Sequence, residues 1–243
     1  MTDRRTELAD NLARVEERIS TACDKAGRAR EDVTLIVVTK TYPASDVRLL
    51  AELGVGQVAE NRDQDAAPKA AACSDLSLTW HFVGQLQTNK VRSVVNYADI
   101  VQSVDRTRLV TALSKEAVRA GRELGCLLQV ALDAESGDTR GTTGERGGVA
   151  PAGVAALADA VAAAEGLRLN GLMTVAPLTG RYAGRPGAAF ERLMEISSGL
   201  RVNHPAANMV SAGMSADLDE AVAAGATHVR VGTAVLGVRP RLG

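Results

Sequence analysis

The sequence predicts an α/β fold: a closed (β/α)8 barrel of TIM type, in one domain over residues 1–243, with an N-terminal helix completing the outer ring. Three observations carry this. Eight short β-rich runs alternate with seven helical patterns, which is the rhythm of parallel βαβ units. Runs such as Leu35–Val38 are apolar without alternation, as strands buried on both faces are. The turn after the first run, Thr39–Pro43, holds no glycine, so the rival open sheet lacks its dinucleotide fingerprint.

The elements follow in order. Leu8, Leu12, Val15, Ile19 and Ala22 recur at helical spacing and predict a helix over about residues 5–25, ended near Gly27. Strands are expected at Val33–Val38, Val55–Ala59, Leu78–Val83, Asp99–Val104, Cys126–Leu132, Leu167–Met173, Ala207–Ser211 and Thr227–Gly232. Helices begin near Ser45, Arg62, Asn89, Arg106, Pro151, Pro186 and Ser215. Only a short tail follows the eighth strand, and the first helix is expected to fill the gap this leaves. Asp133–Gly148 is polar and rich in Gly and Thr, and reads as a long loop on the functional face.

Composition narrows the function. With 46% hydrophobic residues but only 2% aromatics, the core must be built from Ala, Val and Leu. A net charge of −1 with scattered Lys and Arg offers no basic field for nucleic acid. Cys23, Cys73 and Cys126 are odd in number and lack CxxC spacing, so neither a disulfide framework nor a metal site is expected. The polar start carries no secretory pattern, and the most apolar stretch, 149–164, is interrupted by Asp159 and too short for a bilayer. A cytoplasmic protein without membrane or nucleic-acid partners is expected.

Chemistry in such a barrel collects where strands exit. Lys40 closes the first apolar run; burial there would push an ammonium toward its neutral, nucleophilic amine. Asn61 follows strand two and Met173 ends strand six. The loops after strands seven and eight, where these barrels hold phosphate, carry Ser211, Gly213, Gly232 and Thr233, small residues with accessible N–H groups. Arg230 points either at a bound ring or into a barrel-interior ion pair. A phosphate there and an amine at Lys40 are the two anchors pyridoxal phosphate requires.

Seven stretches carry a resemblance: VVTKTYP (37–43), AENR (59–62), WHFVGQLQTNK (80–90), SVDR (103–106), GLMT (171–174), GMSAD (213–217) and GATHVRVGT (225–233). In them the chain resembles the pyridoxal phosphate homeostasis proteins, related in fold to the N-terminal barrel of alanine racemase. The resemblance implies that pyridoxal 5'-phosphate is held as a covalent aldimine on Lys40. It implies Asn61 near the phenolic oxygen, Ser211, Gly232 and Thr233 on the phosphate, and Arg230 at the pyridine nitrogen. It implies a protein that buffers and hands over the cofactor, with apo-enzymes as partners and no catalytic residue of its own. The chain departs from the family at Ala212, where a bulkier residue is usual, and in the strand-five loop, which lacks the usual lysine.

A weak amino-acid racemase is the alternative, and a regulatory module that uses the cofactor only for stability is a third reading. A racemase needs a second acid or base across the ring from Lys40. Racemases of this type take a tyrosine from a partner's extra domain, and the sequence shows no such domain after strand eight. Its three tyrosines are Tyr42, Tyr97 and Tyr182, none clearly opposed to the lysine. Without a swapped second domain the chain is expected to be a monomer.

Overall fold

The computed structural model describes residues 3–133 and 147–237. Its strands are β1 (Thr34–Val38), β2 (Gln57–Glu60), β3 (Thr79–Phe82), β4 (Ile100–Val104), β5 (Leu124–Gln129), β6 (Leu167–Met173), β7 (Met209–Ser211) and β8 (His228–Val231). They pair in sequence order and β1 pairs with β8, so the sheet closes into a parallel barrel. The helices are α1 (Arg4–Lys25), α2 (Ala44–Glu52), α3 (Asp63–Ala72), α4 (Val91–Val95), α5 (Thr107–Ala120), α6 (Val154–Ala162), α7 (Pro186–Asn203), α8 (Leu218–Ala224) and α9 (Thr233–Leu236). The expected barrel is therefore the observed one. The loop expected from Asp133 to Gly148 lies, over 134–146, outside the described residues.

Helix α1 buries Leu8, Val15, Ile19, Ala22 and Cys23, the apolar face that its spacing predicts. It packs against α2, α8 and α9 and so occupies the gap in the outer ring. The expected tail after β8 contains the one-turn helix α9. Side chains of α1 serve its unpaired carbonyls: Asn11 Nδ2 donates to Val235 O at 2.9 Å and Arg4 Nη2 to Leu236 O at 3.0 Å.

Boundaries shift where side chains or glycines take over from the ladder. Strand β5 runs earlier than the expected Cys126–Leu132, because Gly125 pairs through its N–H with Asp99 O at 2.9 Å. Helix α8 starts at Leu218 rather than near Ser215, since Met214 N donates to Asp217 Oδ1 at 2.6 Å and holds those residues in a turn. Helices α4 and α6 are each preceded by a short 3₁₀ turn, at Thr88–Lys90 and Pro151–Gly153.

Outward strand residues and the helices form the apolar layer. Val37, Val58, Trp80, Val229 and Val231 meet α1, α2 and α8; Phe82, Val101, Cys126, Leu128, Leu172 and Val210 meet the remaining helices. All three cysteines are buried and unpaired, and desolvation pushes the Cys126 thiol up to about 12. The barrel interior differs from this layer. Ile100, Leu127 and Met173 pack as one small apolar group, but Gln57, His81, Gln102, Ser211 and Arg230 also point inward. Barrels of this type usually fill that space with branched aliphatics.

Candidate functional site at the barrel mouth

The exits of β1 and β2 are set by register. Val37 pairs with Val58 and Val38 with Ala59. The ladder continues one residue further, Thr39 N donating to Ala59 O at 2.9 Å. That register brings Lys40 level with Asn61. Thr39 and Glu60 are fully buried on the outer side, where Thr39 Oγ1 donates to Glu60 Oε1 at 2.6 Å. Lys40 and Asn61 are the residues that follow on the two chains, at the C-terminal end of the barrel. Lys40 is exposed, which corrects the expectation that burial activates its amine. The strand stops at Val38, Thr39 takes the last covered position, and Lys40 lies beyond it in a turn. The buried lysine is instead Lys69 of α3, whose Nζ donates to Thr39 O at 2.8 Å and pairs with Glu60 Oε1.

Next to Lys40, Thr41 has φ 69°, the only positive φ of a non-glycine among the described residues. For a β-branched residue this is a strained conformation, costing on the order of 1–3 kcal/mol. At the β3 exit, a β-carbon on Gly84 would lie 2.0 Å from Asn61 O, so only glycine lets this loop seat against the Asn61 backbone.

The exits of β6, β7 and β8 converge on Arg230, which is 4% exposed. Its Nη1 donates to Ser211 Oγ at 2.6 Å and its Nη2 to Thr174 O at 2.8 Å. Nε makes no hydrogen bond to the described residues. Ser211 Oγ donates across the lumen to Gln102 Oε1 at 2.7 Å, from β7 to the non-adjacent β4. Gln102 Nε2 lies 2.9 Å from His81 Nδ1, and His81 Nε2 lies 2.8 Å from Gln57 Oε1. Gln102 can only donate to Nδ1, so His81 carries its proton on Nε2 and donates it to Gln57. Desolvation, with lesser contributions from His228 and Arg230, holds His81 down to about 3. Desolvation also lowers Arg230 to about 10, opposed by Asp217, and it remains a cation at neutral pH. Among the described residues, Arg230 is thus a hydrogen-bonded interior cation with no carboxylate bonded to it.

The glycines shape the mouth beside it. Arg230 N donates to Gly213 O at 2.9 Å, which fixes Gly213 against β8. Gly213 has φ 86°, and a β-carbon there would lie 2.5 Å from Ala221 Cβ. At Gly232 a β-carbon would lie 3.2 Å from Val38 O, so the β8 exit runs close over β1. Thr233 is exposed at the start of α9. The eight expected positions therefore divide. Lys40, Asn61, Gly213, Gly232 and Thr233 lie at the strand exits, while Met173, Ser211 and Arg230 lie below them in the interior. Ser211 departs from its expected place as a phosphate donor: it is fully buried and its one hydroxyl proton goes to Gln102.

Gln57, His81, Gln102, Thr174, Glu60 and Lys69 were not singled out as site residues from the sequence. The signal for Gln102 was available, as a glutamine at the centre of the otherwise apolar run Ile100–Val104. Lys69 sits on an alanine-rich helix after Pro68, and nothing there distinguishes it from a solvent-facing lysine.

A closed parallel (β/α)8 barrel with its strands in sequence order is the fold of the alanine racemase N-terminal domain class. The family model "Alanine racemase, N-terminal domain" matches residues 11–240. Pyridoxal phosphate homeostasis protein of Mycobacterium tuberculosis is 39% identical over 98% of this chain and 95% of its own length. The Escherichia coli protein of the same name is 35% identical over 96% and 97%. PipY of Synechococcus elongatus, solved with pyridoxal phosphate bound, superposes with TM-score 0.78 at 33% identity, covering 95% of this chain and all of PipY. Alanine racemase of Clostridium difficile shares the fold, with TM-score 0.67 at 16% identity over 98% of this chain and 58% of its own. The chain belongs to the pyridoxal phosphate homeostasis protein family. No described helix is long and apolar enough to cross a membrane.

Proposed function

We propose that this protein binds pyridoxal 5'-phosphate at the barrel mouth and buffers and delivers it, without robust catalysis of its own. The register that sets Lys40 beside Asn61, with the unbonded Nε of Arg230 below the glycine exits, is the observation that carries this reading. The relatives' names and the PipY complex support it. The residues fit the group. An exposed amine suits its aldehyde, a free guanidinium N–H its ring nitrogen, and a glycine-lined approach its phosphate.

In this reading Lys40 Nζ would be the amine that holds the aldehyde carbon covalently, one water being released. Asn61 would serve the phenolic oxygen, Met173 the ring, and Gly213, Gly232 and Thr233 would hold the phosphate through backbone N–H groups. Ser211 acts through Arg230 rather than on the phosphate. Bound, the cofactor supplies an electron sink. The Arg230 cation disfavours a proton on the ring nitrogen and weakens that sink.

The tyrosines support a carrier over a racemase. Tyr42 OH donates to Gly237 O, away from Lys40. Tyr97 OH is buried, with Asp63 and Glu60 acting on it, and Tyr182 packs in the helical layer. The Tyr42 hydroxyl is committed to Gly237 and the Tyr97 hydroxyl is enclosed beside Asp63 and Glu60, so neither serves as the acid or base a racemase needs opposite Lys40.

The test mixes holo-protein with an apo-aminotransferase while a phosphatase destroys free cofactor. Reactivation is expected, and its absence overturns delivery. Borohydride reduction and peptide mapping of the same sample should label Lys40; a label on another lysine overturns the site.

A further inference from the structure

Lys40 occupies the second position of a four-residue turn, closed by Tyr42 N donating to Thr39 O at 3.1 Å. The third position, Thr41, has φ 69°. Turns of that shape ask for glycine or asparagine there, and a β-branched residue is strained. Such strain persists only where the surroundings over-determine it.

The Thr39 carbonyl is where the surroundings act. It accepts a second hydrogen bond, from Lys69 Nζ at 2.8 Å. The same ammonium pairs with Glu60 Oε1, and that oxygen also accepts from Thr39 Oγ1 at 2.6 Å. Lys69 is 7% exposed and Glu60 not at all. Burying an ion pair costs desolvation that packed apolar residues would not incur. Among the described residues, and apart from the ion pair itself, every hydrogen bond that Lys69 Nζ and the Glu60 carboxylate make goes to Thr39, the residue before Lys40.

We propose that Lys69 and Glu60 are positioning residues for Lys40: a buried clamp that holds the strained turn so that the amine faces the mouth. The clamp never touches the cofactor. It lowers the reorganisation needed for the covalent link and leaves phosphate and ring contacts alone. This inference rests on the proposed link at Lys40.

Two ligands separate the roles. Pyridoxal phosphate has the aldehyde that Lys40 needs; pyridoxine phosphate carries an alcohol in its place and binds only through ring and phosphate. Dissociation constants are measured for both on the full chain. The proteins are wild type, Lys69→Met with Glu60→Gln, Thr41→Gly, and all three substitutions together. Replacing both clamp partners leaves no buried charge unpaired. The double substitution is expected to weaken pyridoxal phosphate about tenfold and pyridoxine phosphate less than about twofold. With Thr41→Gly, which relaxes the turn, the loss should shrink to below about threefold. If the double substitution unfolds the chain, Thr39→Val deletes one bond of the clamp and should show a smaller loss for pyridoxal phosphate alone. Unchanged pyridoxal phosphate affinity, or equal losses for both ligands, overturns the clamp. Wild type that binds neither ligand, or that is labelled at a lysine other than Lys40, overturns the binding reading and the clamp with it.

Discussion

Arg230 Nη1 donates to Ser211 Oγ at 2.6 Å, and Ser211 passes the direction on to Gln102. From there the donors run through His81 to Gln57 without reversing. Five side chains on five strands are thereby linked, with a cation at the mouth end and neutral groups below. In a low-dielectric interior, aligned hydrogen bonds of this kind reinforce one another. The arrangement fixes the guanidinium plane while leaving Nε unbonded among the described residues, and the described groups that hold Arg230 are neutral. A carboxylate in its place at a ring nitrogen would favour the pyridinium; a cation does the reverse.

Ser211→Ala tests whether the hydroxyl is the joint of this network. It leaves Gln102 Oε1 and one Arg230 N–H buried without their partner. The expected loss is about 1–3 kcal/mol of stability by urea unfolding. If Arg230 is the ring partner, cofactor affinity should fall as well, although Ser211 offers no proton to the phosphate. Ser211→Thr, which keeps the hydroxyl, should lose less of that affinity. A change below about 0.5 kcal/mol would mean the network does not matter energetically.

Stability should depend on pH through two histidines, His81 fully buried and His228 partly buried. Desolvation lowers His81 to about 3 and His228 to about 4, from 6.5. Both are neutral in the folded chain near pH 6, whereas the unfolded chain takes up their protons. The unfolded state therefore binds more protons below 6.5. The stabilisation is complete above that pH and is lost as pH falls toward the folded-state values. Each histidine should cost roughly 1.5–2 kcal/mol between pH 6.5 and 5. His228→Gln should remove about half of this slope in urea midpoints, and an unchanged slope would show that His228 is not the buried group.

The barrel was legible because its signal is repeated: eight strand–helix units agree even where single boundaries slip by two or three residues. The places of Lys40 after β1 and Arg230 within β8 were legible because both follow directly from the strand pattern. The clamp and the lumen network were not. Glu60 and Lys69 meet only because α3 folds back over the exits of β1 and β2. Gln102 and Ser211 meet only because closure brings β4 opposite β7. Neither juxtaposition leaves a local pattern. Burial does not reach Lys40 because the apolar run ends in Thr39, and one residue of overhang changes a covered site into an open one.

Gly213 should tolerate no side chain. Its φ of 86° disfavours a β-carbon, and that carbon would lie 2.5 Å from Ala221 Cβ. Gly213→Ala is expected to cost about 1–3 kcal/mol and to displace the loop against Arg230 N. Adding Ala221→Gly removes the clash but not the backbone strain, so partial recovery is expected in thermal unfolding. Full recovery would place the whole cost in the clash.

Gly232 gives the sharper test of a phosphate at the β8 exit. A β-carbon there lies 3.2 Å from Val38 O, tight enough to need a small shift yet far from a fatal overlap, and φ is −114°. Gly232→Ala should therefore fold. Its methyl group would crowd the backbone N–H groups of Gly232 and Thr233, the proposed donors to the phosphate. Pyridoxal phosphate should bind about tenfold more weakly, whereas pyridoxal, which carries no phosphate, should bind as it does to wild type. Lys40 is untouched, so the absorbance of the covalent complex at saturation should match wild type. Equal affinities of wild type for the two vitamers would remove the phosphate from this exit. Equal losses for both on Gly232→Ala would mean that the methyl group disturbs β1 through Val38 rather than blocking an anion.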